Sequence, residues 1–202
     1  MLCSKRSPAP ARPSPSRCRS NRAIELHPVE TGHLQIADDQ VVAPLDGTGQ
    51  PLFTVGGSIH AAELALDGRV VFHPSGGTHH GRPDRASGFC YFNDPVFAVL
   101  TFLAAGLERV LYVDLDAHHG DGVQDAFADD DRVLTVSIHE EKRWPHSGLV
   151  EDRAAGLARN LPVPRGFNDS ELDFLVEQAV IPLAAAFAPQ ALVITCGVDG
   201  LE

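Results

Sequence analysis

The 202-residue sequence predicts an α/β fold, a three-layer sandwich around a central parallel sheet. Two apolar runs carry that expectation: VLYVDLD at 110–116 and RVLTVSIH at 132–139. Both are rich in β-branched residues and too continuous for half-exposed strands, so they read as buried parallel strands. The third observation is alternation, since stretches of helical period separate the apolar runs.

The other elements follow in chain order. Ser58 to Leu66 has helical character, RVVFH at 69–73 reads as a short strand, and a Gly-rich loop with His79 and His80 comes after it. A helix is expected from Asp94 to Ala105, with Asp94 as its cap and Pro95 in its first turn. A long helix from Ser170 to Phe187 should kink at Pro182, and ALVITCGVD at 191–199 holds the last strand. Residues 1–50 are expected to be either a disordered segment or one unrelated to the rest, and residues 51–202 a single partial domain.

Composition narrows the function classes. The first 22 residues hold six of the 16 basic residues and no acid, which leaves 10 basic against 27 acidic residues, a net of −17, in the remainder. A body so acidic does not suit binding to nucleic-acid phosphates; it suits a cationic substrate. No apolar run reaches the roughly 18 residues of a membrane helix. Cys3, Cys18, Cys90 and Cys196 form no CxxC pair, which points to a reducing, cytoplasmic setting. Four prolines between Pro8 and Pro15 argue against a helical targeting peptide.

The chemistry gathers at strand ends. In an open parallel sheet, ligands collect beyond the carboxyl ends of the strands. Asp114, Asp116, His118, His119 and Asp121 lie at or past the end of the first buried run, Asp199 follows the last strand, and His79 and His80 follow the 69–73 run. An Asp-x-His pair can reach one ion from a turning backbone, and Asp199 would complete a mixed oxygen and nitrogen shell with an open position. One such residue alone is more often a turn former or a hydrogen-bonded surface group. So many carboxylates and imidazoles crowded at one edge call for a cation.

GGTHHG at 76–81, SGFCYFND at 87–94, LYVDLDAHHGDGV at 111–123, TVSIH at 135–139 and CGVD at 196–199 appear in an order that resembles the zinc-dependent histone deacetylases of the arginase/deacetylase superfamily. The likeness is strongest to the bacterial acetoin-utilisation and histone-deacetylase-like amidohydrolases. The resemblance implies the arginase/deacetylase fold and removal of acetyl or other acyl groups from lysine side chains or small amines such as polyamines. It makes Asp116, His118 and Asp199 the zinc ligands. His79 and His80 become the tandem histidines beside the attacking water, oriented by Asp114 and Asp121, with His80 the base. Gly88, Phe89 and Trp144 would form the substrate channel. Asp114, Asp116, His118, Ser137 and Ile138 resemble a site for potassium. The implied partner is an acetylated lysine peptide or acetylated amine, with no direct contact to nucleic acid or membrane.

Two departures qualify the resemblance. The family tyrosine that hydrogen-bonds the oxyanion is absent, Tyr91 and Tyr112 being within other motifs, and such a donor is worth roughly a hundred- to thousandfold in rate. Residues 1–50 do not resemble the family's opening segment, so the chain reads as a fragment, with weak activity and marginal stability expected. A catalytically silent metal-binding protein and an arginase-like ureohydrolase with two manganese ions are the alternatives.

Overall fold

The computed structural model describes residues 50–199. Expectations for residues 1–49 lie outside them, and Gln50 already belongs to a helix. In chain order the elements are α1 (Gln50–Leu66), α2 (Asp94–Ala104), β1 (Val110–Asp114), α3 (Asp121–Ala126), β2 (Val133–Glu140), β3 (Ala158–Val163), α4 (Asp169–Leu175), α5 (Ile181–Phe187) and β4 (Ala191–Thr195). The four strands form one parallel sheet in the order β3-β2-β1-β4. The register pairs Asp114 with Ser137 on one side and with Thr195 on the other, so β1 and β4 end level while β2 runs on to Glu140.

Alternation along the strands divides the core. Val110, Tyr112 and Val133 pack with Ala98, Val99, Phe102 and Leu103 of α2 and with Ala62 of α1. Leu111, Val113, Leu134, Val136 and Ile138 face the opposite way, against Leu172, Leu175, Leu183 and Phe187. Helices therefore cover both faces of the sheet, which is the expected α/β/α layering. β1 is buried at all five positions, as its continuous apolar run requires, while Leu192 and Ile194 of β4 stay half-exposed.

Several elements differ from expectation. RVVFH is not a strand of the sheet; Val70 and Phe72 are exposed, and only Phe72 makes an isolated bridge. β3 was not anticipated because ARNLPV carries arginine, asparagine and proline, which an edge position next to β2 accommodates. The six-residue α3 starts within the DAHHGDGV run and continues to Ala126. α1 begins earlier than Ser58, running through Gly56 and Gly57. Pro182 does mark a change in the long helix: a π turn at Val176–Val180 separates α4 from α5 and absorbs the loss of the proline N–H.

Beneath the carboxyl ends lies a buried polar network. His139 Nε2 donates to the Gly148 carbonyl at 3.0 Å, and its Nδ1 accepts from the Ser137 hydroxyl at 2.9 Å. His119 Nε2 donates to Gln124 Oε1 at 3.1 Å, and its Nδ1 accepts from Ser147 at 2.8 Å. Asn160 also donates to Gln124 Oε1, which ties β3 into the network. Both histidines are neutral in this arrangement, because carbonyl oxygens take one ring N–H each and hydroxyls satisfy the other nitrogen.

Burial, aided by neighbouring His119, lowers the His139 pKa to about 4; burial likewise lowers that of His119. An unfolded chain takes up a proton at each ring near pH 6.5, whereas the folded chain refuses it. Stability from these groups is therefore complete above pH 6.5 and lost as pH falls toward 4. For His139 the loss is on the order of 3 kcal/mol at 1.36 kcal/mol per unit. Urea unfolding at pH 7 and pH 4.5 should show that drop, and His139→Gln should flatten the profile between those values. A wild-type stability constant across the interval would contradict the neutral network.

Candidate active site and metal centre

On the α2 side of the sheet, the strands change from apolar to polar toward their carboxyl ends. Val110 and Tyr112 give way to Asp114 on β1, Val193 to Thr195 on β4, and Val133 to Thr135, Ser137 and His139 on β2. Asp114 is wholly buried. Such a carboxylate must be hydrogen-bonded, and three donors reach it. His79 Nδ1 and the Tyr112 hydroxyl each lie 2.6 Å from Oδ2, and the Asp116 amide lies 3.1 Å from Oδ1. Tyr112 also lies 3.0 Å from Thr195 Oγ1. Burial and the Asp114 charge push the Tyr112 hydroxyl well above its ordinary range, so it stays protonated as a donor.

His80 forms the parallel arrangement with α3, its Nδ1 lying 2.7 Å from Asp121 Oδ1. Both imidazoles are nearly enclosed and their ring centroids are 3.9 Å apart. Each therefore carries its proton on Nδ1 toward a carboxylate and leaves Nε2 for other work. Burial opposes a charged His79, but the bond and charge of Asp114, with Asp116 and Asp121 nearby, outweigh it and raise the pKa. Burial would raise the Asp121 pKa, yet His80 and the Arg82 guanidinium hold it below the ordinary carboxylate range.

Asp116, His118 and Asp199 meet as the sequence led us to expect. Each offers a ligand atom within 4.8 Å of the others, with Asp116 Oδ1 at 3.0 Å and Asp199 Oδ2 at 2.8 Å from His118 Nδ1. Three donors around one ion at 2.0–2.1 Å stand about 3.3 Å apart, so this oxygen–oxygen–nitrogen set fits a divalent cation. His79 Nε2 lies 3.6 Å from Asp116 Oδ1, which puts the tandem histidines against the donor set.

The cavity over these groups has a volume of about 650 Å3 and is lined by His79, His80, Phe89, Asp116, Trp144 and Asp199, among others. His118 and Gly88 also line it. The Trp144 ring stands edge-on to His80 with centroids 4.7 Å apart. Phe89 is fully exposed and has φ 62°, a backbone region that a bulky side chain occupies only when its surroundings impose it. It therefore adds nothing to the core, and it stands at the cavity wall.

Sequence reasoning placed Asp94 as the cap of α2, and the structure corrects this. Asn93 caps the helix, accepting from the Val96 amide at 3.3 Å, and donates to the carbonyls of His79 and Gly81 at 2.8 and 3.1 Å. One side chain thus starts α2 and clamps the backbone of the tandem histidines. Asp94 instead turns inward, holding Ser58, the Gly77 amide and both donors of Thr78. His119 does not join the other ionisable groups at the cavity; its ring serves the network under β2.

Close approach also makes two glycines necessary: Gly197, which the sequence reading passed over, and Gly88, expected there only as a channel residue. A Cβ on Gly197 would fall 1.9 Å from Asp116 Oδ2, and one on Gly88 would fall 2.4 Å from the His80 ring. Both lie inside motifs, but the need for hydrogen in place of a side chain comes from groups distant in sequence.

Comparison with known proteins identifies the family and the fold. The Histone deacetylase domain family matches residues 17–202, a span that begins well before the first motif, at Gly76. Histone deacetylase 8 of Xenopus laevis is 40% identical over 152 residues, covering 71% of this chain and 46% of that protein. A probable deacetylase of Archaeoglobus fulgidus is 34% identical over 187 residues, covering 88% of this chain and 51% of that one. The chain thus spans about half the length of these relatives. The crystal structure of an HDAC homolog from Aquifex aeolicus superposes with a TM-score of 0.67 at 37% identity, covering 71% of this chain and 41% of that one. An HDAC homolog complexed with SAHA superposes equally well. With the family match running over nearly the whole sequence, and a solved HDAC homolog superposing at a TM-score of 0.67, the chain belongs to the histone deacetylase domain family.

Proposed function

We propose that the cavity is the active site of a zinc-dependent amidohydrolase that removes acetyl groups from lysine side chains or small acetylated amines such as polyamines. The carrying observation is the donor set of Asp116, His118 and Asp199 set directly against two histidines whose Nδ1 atoms are held by carboxylates. A zinc ion held there would supply Lewis acidity to the amide carbonyl and lower the pKa of a water. Potassium is proposed as a second cation near Asp114, Asp116, His118, Ser137 and Ile138, whose carboxylate, hydroxyl and carbonyl oxygens are hard ligands.

In this reading His80 takes the proton from water at Nε2, since Nδ1–H is committed to Asp121. The Asp114 carboxylate on Nδ1 suits His79 to orient its Nε2 toward the reacting carbonyl. Trp144 and Phe89 grip the methylene stem of the acylated amine, and Gly88 lets the chain pass close to His80. The acidic body favours a cationic substrate, and the two free cysteines among the described residues accord with a cytoplasmic setting.

Metal analysis of the purified protein should find one zinc per chain, and Asp116→Ala should lose it. On a fluorogenic acetyl-lysine substrate, His80→Ala should lower kcat by roughly a hundredfold or more while retaining zinc. Turnover that survives metal removal or either substitution would overturn the assignment.

The channel reading gives a separate expectation. Trp144→Ala should raise KM by roughly tenfold, the worth of about 1.4 kcal/mol of ring contact, and change kcat less. A normal KM would leave Trp144 as a packing residue only.

A further inference from the structure

The two histidine–aspartate pairs are anchored differently at their far ends. Apart from His79, the donors to Asp114 are a tyrosine hydroxyl and a backbone amide. Asp121 divides its oxygens between His80 Nδ1 on Oδ1, at 2.7 Å, and Arg82 Nη2 on Oδ2, at 2.6 Å. The same guanidinium donates through Nη1 to the Asp121 carbonyl at 3.2 Å and to the Asp125 carboxylate one turn further along α3. It is mostly buried, and its Nε has no partner. An unpaired buried donor is costly, so packing and the other N–H groups must hold the guanidinium where it is.

His80 and Arg82 belong to one loop, while Asp121 and Asp125 belong to α3. Arg82 therefore joins the loop of the tandem histidines to the helix that carries the His80 carboxylate. A carboxylate held on both oxygens cannot rotate away from either partner, and a guanidinium forked between Oδ2 and the main-chain carbonyl of Asp121 holds the side chain and backbone of that residue together. The Arg82 charge also helps to keep Asp121 ionised, and thus an acceptor for the His80 ring N–H.

We propose that Arg82 is a positioning residue for the reaction: by holding Oδ2 of Asp121 and clipping α3, it fixes the tautomer and ring direction of His80. The inference rests on the enzymatic reading above, and it deepens it by adding a third member to the His80–Asp121 pair. Arg82 has no counterpart on the His79 side, so its removal should disturb one histidine and spare the other.

The test compares wild type with Arg82→Met and Arg82→Lys, using kcat and KM on the acetyl-lysine substrate, zinc content, and proton NMR of ring N–H signals in protein labelled with 15N-histidine. Arg82→Met should lower kcat by roughly ten- to a hundredfold with KM and zinc content unchanged. Its His80 Nδ1–H signal should broaden through solvent exchange while that of His79 persists. Arg82→Lys keeps a charge near Oδ2 but loses the fork, and should recover part of the rate and part of the signal. Full kcat and an intact His80 signal in Arg82→Met would overturn the proposal. So would losses of zinc or cooperative folding that track the loss of rate in both variants. If the wild type hydrolyses nothing, the enzymatic reading falls, and the NMR comparison alone decides the positioning role: loss of the His80 signal supports it and persistence refutes it.

Discussion

A charged carboxylate with no exposed surface, Asp114, is the constraint around which the site is arranged. Burial of an acid at the end of a central strand is tolerable only when donors surround it. Those donors come from three directions: His79 from the loop before α2, Tyr112 from the same strand, and the Asp116 amide from the turn that follows. Satisfying Asp114 thus fixes His79, and His79 lies against the Asp116 carboxylate. The electrostatic requirement of one buried group sets the geometry of the neighbouring donor set.

The sheet makes this arrangement affordable because its two faces are treated differently. The α4–α5 face is apolar along Leu111, Val113, Leu134, Val136 and Ile138. The other face begins apolar and ends polar, so hydrophobic burial secures the strands while their carboxyl ends carry the charged groups. Parallel register brings Asp114, Ser137 and Thr195 level, and the turns after β1 and β4 then deliver Asp116, His118 and Asp199 to one place. The sheet supplies rigidity, and the loops supply the chemistry.

Polar side chains that touch no cavity do much of the bracing. Asn93 joins the start of α2 to the carbonyls of His79 and Gly81, and Asp94 gathers the Gly-rich loop before them. Under β2, His119, Gln124, Asn160 and His139 form a neutral network that supports the turn from Asp121 and the segment at Gly148. Close backbone approach matters equally, since Gly88 and Gly197 leave room for His80 and Asp116.

The sequence alone determined the α/β class, the buried strands β1 and β2, the place of β4, and the identity of the groups at the strand ends. These were legible because continuous apolar runs report burial on both faces, and because Asp116 and His118, like His79 and His80, are neighbours in the chain. Tertiary structure decided the rest. It placed Asp199 within 2.8 Å of His118, made β3 an edge strand despite its polar residues, denied strand status to 69–73, gave the α2 cap to Asn93, and turned His119 away from the cavity. For Asp199, β3 and the Asp94 side chain the deciding contacts join groups far apart in the chain, and for His119 the outcome depends on which side of a turn the ring faces. Local propensity carries no information about such contacts, because their energy exists only once the strands have paired.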